Sequence, residues 1–265
     1  MVYETKNEMT TTRSSMAVHQ ATRDQARANV AASITDGLSS VEKLCETMIA
    51  WAQQTLGGDE FVAAKEEFFT QTGKFFSDDP FYDERITYFL DHFIFGRPVA
   101  RKDGDSTLLE TPYQSFMRSS QLYEGGSQAE KFADFAEIGC FRHSLFQVLR
   151  CSKNEMLVRD LVSGTKHKIS AQGRTSLVAF HKHDLFQGYL LPYRDQVYLS
   201  LGVIHHPSIV SRLVRGELKK LLKAAEKGGV FDKGKFLFDL AHRHMRAMRH
   251  KKADPRLLYK VAAPK

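Results

Sequence analysis

The chain has 265 residues, 42% apolar and 26% charged, with 19 Phe and 9 Tyr; such a length and balance exclude both global disorder and a small scaffold that needs staples. Its three cysteines, Cys45, Cys140 and Cys151, form no CxxC pair, which excludes a disulfide framework and a four-thiolate zinc site and predicts a reducing, cytoplasmic setting. The net charge of +7 is unevenly placed, with +11 from His206 to Lys265 and −4 over residues 1–205, so the C-terminal part predicts an acidic partner: nucleic acid, an anionic membrane surface or an acidic protein surface.

No run approaches 18 apolar residues, so no membrane span is expected, and residues 1–36 lack the apolar stretch of a signal peptide. That segment is rich in Thr, Ser, Ala, Gln and Arg and has no aromatic after Tyr3. It reads as a disordered tail, with a helix over about 20–32 conceivable on docking. Order is expected from Ser39, where Ser39-x-x-Glu42 forms a capping box ahead of Val41, Leu44, Cys45, Met48, Ile49 and Ala52 at helical spacing. Gly57-Gly58 ends this helix, and Asp59 caps a second one carrying Phe61, Val62, Phe68 and Phe69, the two forming a hairpin. A third helix is predicted to start at Asp79-Pro80, with a stripe of Ile86, Phe89, Leu90, Phe93 and Ile94. Further helices are expected over Thr107 to Leu122, restarting at Pro112, and over Gln128 to Ile138.

After Gly139 the period changes. Five short β-prone runs follow, at Leu145–Leu149, Met156–Leu161, Thr165–Ser170, Leu185–Leu191 and Val197–Ile204, with turn chemistry at Ser152-Lys153-Asn154 and Ser163-Gly164. They predict a small antiparallel β-barrel or curled sheet of about five strands. Helical period returns at Pro207-Ser208. The apolar stripe of Ile209, Val210, Leu213, Val214, Leu218, Leu221 and Leu222 is opposed by Arg212, Arg215, Lys219, Lys220, Lys223 and Lys227. A last long helix from Asp232 to about His250 buries Phe236, Leu237, Leu240, Ala241, Met245 and Met248. The fold class is therefore α+β. A tail over 1–36 precedes a helical region over 37–139, a small β-barrel or meander over 140–205 and a basic helical region over 206–265.

The basic helices are the leading functional candidate. Arg243, Arg246, Arg249, Lys251 and Lys252 recur at short intervals and, with Arg212, Arg215, Lys219, Lys220 and Lys223, can meet successive phosphates. Tyr189, Tyr193 and Tyr198 lie in or beside predicted strands and are candidate stacking surfaces for unpaired bases; the competing reading makes them half-buried sheet residues. His181, His183, Asp184, His205, His206, His242 and His244 offer metal-type donors, but no HExxH or comparable i, i+4 pair is present, and His242 and His244 diverge on a helix. Asp160 and Gly164 read as a turn device. No nucleophile elbow, phosphate loop or dinucleotide fingerprint occurs, and no cofactor is expected.

The ordered set Tyr88–Phe95, Ser106–Glu110, Ser144–Arg150, Leu157–Gly164 and Leu190-Leu191-Pro192 resembles uncharacterised bacterial proteins that often carry a SEC-C metal-binding motif. The cysteine cluster of that motif is absent here, and His183-Asp184 stands where those proteins read Gly-Asp, so the resemblance implies a fold and a bacterial origin and carries no metal or activity. The functional expectation is a non-enzymatic nucleic-acid binder. The alternatives are a protein-interaction adaptor using the aromatic helix and barrel, and a metal-dependent enzyme built on His181, His183 and Asp184.

Overall fold

A computed structural model of the chain describes residues 40–103, 106–121, 128–152, 154–170 and 180–260. The expected tail and the capping Ser39 lie outside them. Helix α1 covers residues 40–56, and α2 (Gly58–Thr72) follows after Gly57, whose φ of 83° is open to glycine at little cost. Helix α3 (Tyr82–Asp91) runs into a π-turn, His92–Gly96. Strands β1 (Val99–Asp103) and β2 (Ser106–Glu110) form an antiparallel hairpin, and α4 (Pro112–Gln121) and α5 (Gln128–Ile138) complete the N-terminal half.

Two expectations need correction here. The helix forecast from Asp79-Pro80 begins at Tyr82, because Phe81 adopts a left-handed φ of 65° and Asp79 is spent on a turn, its Oδ2 accepting from the Phe76 amide at 2.9 Å. The helix forecast from Thr107 begins at Pro112, because Ser106–Glu110 pairs with Val99–Asp103; the region over 37–139 is thus not purely helical. Ser106 and Glu110 imitate a helix start, and pairing with a neighbouring strand overrides that local signal.

The second half is built on β3 (Arg142–Cys151), β4 (Glu155–Asp160), β5 (Lys166–Ser170), β6 (Leu185–Tyr193), β7 (Gln196–Leu199) and β8 (Ile204–His206). The antiparallel order is β5-β4-β3-β6-β7, with β8 on β6. Strands β5 and β7 at the two ends approach each other, and a bulge at Val148–Arg150 helps to bend the sheet, so it curls into a half-barrel as the sequence predicts. Phe146, Val148, Met156, Val158, Ile169, Phe186 and Leu190 fill the curl. Their alternates face helices: Leu145 and Leu185 meet the C-terminal helices, while Tyr189, Leu191 and Tyr193 join the aromatic core of the N-terminal half. Burial on both faces explains why β6 reads as a continuous apolar run.

The C-terminal half is helical. After a 3-10 turn at Ser208–Val210 come α6 (Ser211–Ala225), α7 (Lys233–Arg249) and α8 (Pro255–Tyr259). Asp232 caps α7 by accepting from the Lys235 amide, which satisfies one orphan donor of the first turn. Helix α7 packs on α2, α8, β3 and β8, and its buried residues bridge the aromatic core and the C-terminal core. No helix among the described residues is long and apolar enough to cross a membrane.

Candidate functional site

Helix α6 sorts its residues by angle. Val214 and Leu218 are buried against α7 and α8, whereas Arg212, Arg215, Lys219, Lys220 and Lys223 are all exposed, within an arc of about 140° at 100° per residue. None of the five makes an ion pair among the described residues; Arg215 only returns its Nε–H to the Ser211 carbonyl at 3.3 Å. The single acidic residue of α6, Glu217, is already neutralised. Arg243 of α7 grips it with two hydrogen bonds, 2.6 and 3.0 Å, and also donates to the Tyr259 carbonyl. The α6 face therefore carries five cations along about 16 Å of helix, with Glu226 at the C-cap as the one acidic residue beside Arg215, Lys219 and Lys223 in the same groove.

The α7 cations divide differently from expectation. Arg243 is a half-buried tether between α6, α7 and α8. Arg249 donates to the Lys74 carbonyl and to Asp79, and its guanidinium holds the Asp79 carboxyl below the usual range, so it ties α7 to the α2–α3 connection. Arg246, Lys251 and Lys252 remain exposed. Tyr189, Tyr193 and Tyr198 are in the core, with 0, 1 and 3% exposure. Tyr189 is stacked on His143 at 4.2 Å between ring centres and flanked by Phe95 and Phe141, so its faces are taken. The three tyrosines offer no stacking platform. The aromatic stripe of α3 is likewise spent internally, with Phe89, Phe93 and Ile94 buried in the N-terminal core.

The histidines separate into surface and core groups. Asp184 accepts from the His181 amide at 2.7 Å and lies 3.2 Å from His205 Nε2, while His183 sits at φ 78° in the turn. Among the described residues no group of three or more His, Cys, Asp or Glu side chains is placed to hold a metal ion. His206 and His244 are buried on the other side of the same strand and helix from His205 and His242. Asp160 performs the predicted turn role: its Oδ1 accepts from Ser144 Oγ and from the Val162 and Ser163 amides, and Gly164 takes φ 77°.

A buried polar chain links the halves, and sequence reasoning does not reveal it. The Tyr259 hydroxyl meets His206 Nδ1 at 2.9 Å, and His206 Nε2 meets Gln187 Oε1 at 3.1 Å. Gln187 Nε2 donates to Tyr88 Oη and the Leu237 carbonyl, and Tyr88 Oη reaches His143 Nε2 at 2.7 Å. Because Gln187 Oε1 can only accept, His206 carries its proton on Nε2 and accepts the tyrosine proton on Nδ1. The chain is satisfied only while the rings are neutral. Burial enforces that state, pushing His206 down to about 3 and His143 well below its ordinary value.

A cavity of about 590 Å3 lies beside this chain, between α3, the β7–β8 connection and α7. Arg85 and His244 are at its buried end, 3 and 5% exposed. Arg85 Nη2 meets His244 Nδ1 at 2.6 Å and the Ala241 carbonyl at 3.3 Å, whereas Nη1 is buried without a partner. No family model matches the chain, and no curated protein or solved structure matches it.

Proposed function

We propose that the chain binds the backbone of a nucleic acid through the outer face of α6, without reading base sequence. The supporting observation is the set of five exposed cations at Arg212, Arg215, Lys219, Lys220 and Lys223, none of them ion-paired among the described residues, in a molecule that pairs many of its other arginines. A protein that needed charge only for solubility would have no reason to segregate it on one helical face. Arg246, Lys251 and Lys252 add exposed charge on the C-terminal helix and the turn after it. Since the tyrosines are buried, duplex phosphates are a better match than splayed bases, whose recognition needs open aromatic faces.

Fluorescence anisotropy with a labelled DNA duplex and a single-stranded RNA tests this reading. Five phosphate contacts give a salt slope of about −4.5, so affinity should fall about 500-fold between about 50 and 200 mM salt. Changing Arg212, Arg215, Lys219, Lys220 and Lys223 together to Gln should abolish binding while leaving the circular dichroism spectrum unchanged. Absent binding at low salt, or binding that survives the five changes, would overturn the proposal.

A further inference from the structure

The cavity between α3, the β7–β8 connection and α7 is unlike the α6 face, because its charge is hidden. Phe81 and Leu201 stand half-exposed at its mouth, and Phe180, Leu199, Val203 and Met248 contribute apolar walls. Arg85 lies at the far end, and its two neighbours are a backbone carbonyl and a histidine ring. The His244 ring also meets the His205 backbone, and its burial and the adjacent guanidinium hold it neutral. Arg85 therefore keeps a positive charge away from water with no carboxylate bonded to it among the described residues; Asp79, held by Arg249, acts on it only through space. Burial lowers the Arg85 pKa to about 10, which still leaves it charged at neutral pH.

An uncompensated buried guanidinium costs stability, and folds that retain one ordinarily pair it with an anion. Here Arg85 itself lines an apolar chamber within the size range of small-ligand sites. We propose that this cavity binds a small monocarboxylate with an apolar body, its head group paired with Arg85 and its body lying along Phe180, Leu199 and Val203. One planar guanidinium matches one carboxylate in charge and in geometry, whereas a phosphate dianion would call for more donors than Arg85 supplies. Asp83 and Glu84 also line the cavity and repel a second acidic group, so the site favours monocarboxylates over dicarboxylates.

Isothermal titration calorimetry with decanoate, below its micelle-forming concentration, reads this out directly. Saturable binding at a ratio of one is expected. Decanol, decanedioate and the Arg85→Met protein with decanoate should each bind about tenfold or more weakly, since each forfeits or opposes the charge-assisted contact. Arg85→Met replaces a buried charge with an apolar side chain of similar length. Leu201→Trp offers an independent check, because the residue is 47% exposed and the larger ring narrows the mouth without entering the core; it should weaken decanoate binding with an unchanged melting temperature. No saturable decanoate binding, equal affinity for decanol, or unchanged affinity in Arg85→Met would each overturn the assignment. The α6 glutamine variant should bind decanoate normally, which separates this site from the polyanion face.

Discussion

The buried histidines make the fold sensitive to mild acid, and His206 allows the size of the effect to be worked out. It is fully buried, and its pKa falls from 6.5 to about 3 on folding, with burial the largest cause and the charges of His205, Arg85 and Arg243 adding to it. Below 6.5 the unfolded chain takes up a proton there that the folded chain refuses, so stability is full above that value and is lost as pH falls toward 3. Integrated from pH 7 to pH 5, this single group costs about 2 kcal/mol, a sizeable share of the 5–15 kcal/mol typical of a folded protein. His92, His143 and His244 are lowered by burial too and act in the same direction. Urea unfolding at about pH 7, 6 and 5, followed through the single Trp51, measures the fall for the parent chain and for His206→Gln. The variant will be less stable at pH 7, where the Tyr259 and Gln187 contacts are perturbed, but its fall between pH 7 and pH 5 should be about 2 kcal/mol smaller. Equal falls in the two proteins would refute the argument, because they would show that His206 does not stay neutral in the folded state.

The remaining predictions concern single side chains. Arg243→Ala strips the partner from half-buried Glu217 and should lower stability by about 1–3 kcal/mol in urea unfolding while duplex affinity changes little, a pattern opposite to that of the α6 cations. Asp160→Ala leaves the Ser144 hydroxyl and two turn amides without their acceptor and should cost about 1–3 kcal/mol, measured by the same unfolding curves with an unchanged m-value. Gly202→Ala would set a methyl group 2.5 Å from the Tyr88 amide nitrogen and 2.6 Å from its Cα, so α3 and the β7–β8 connection must separate; a loss of about 1–3 kcal/mol or more and a disturbed decanoate site should result.

Local pattern carried much of the architecture, and tertiary contact decided the rest. The strand runs from Leu145 to Ile204 are legible because turn residues interrupt them at short intervals, and α6 and α7 are legible because their apolar positions keep a 3.6-residue period. The β1–β2 hairpin is missed since Ser106 and Glu110 mimic a helix start; the signal on the other side was the Asp103-Gly104 dipeptide between two five-residue runs. Arg85 leaves no trace in sequence. On α3 alone it belongs with the polar positions, and it is buried only because α7, 156 residues away, lays the Ala241 carbonyl and His244 against it. The histidine cluster shows the same limit in reverse: His205 and His206 are adjacent in sequence yet face opposite sides of β8, one toward Asp184 and the other into the core.

The C-terminal excess of positive charge is thus two features that the sequence merges into one. Part of it is consumed in holding the fold, with Arg243 on Glu217 and Arg249 on Asp79, and changing those residues perturbs stability before it perturbs any surface; Arg256 pairs only with Asp254, two residues away at the surface. The other part, on α6, makes no ion pair among the described residues and stands exposed. The distinction alters how a charge-removal experiment must be built: an alanine set at Arg243, Arg246 and Arg249 would loosen α7 at two tethers, so lost nucleic-acid binding in it would report on folding. A glutamine set confined to α6 keeps every tether, so a loss of binding there reports the charge itself.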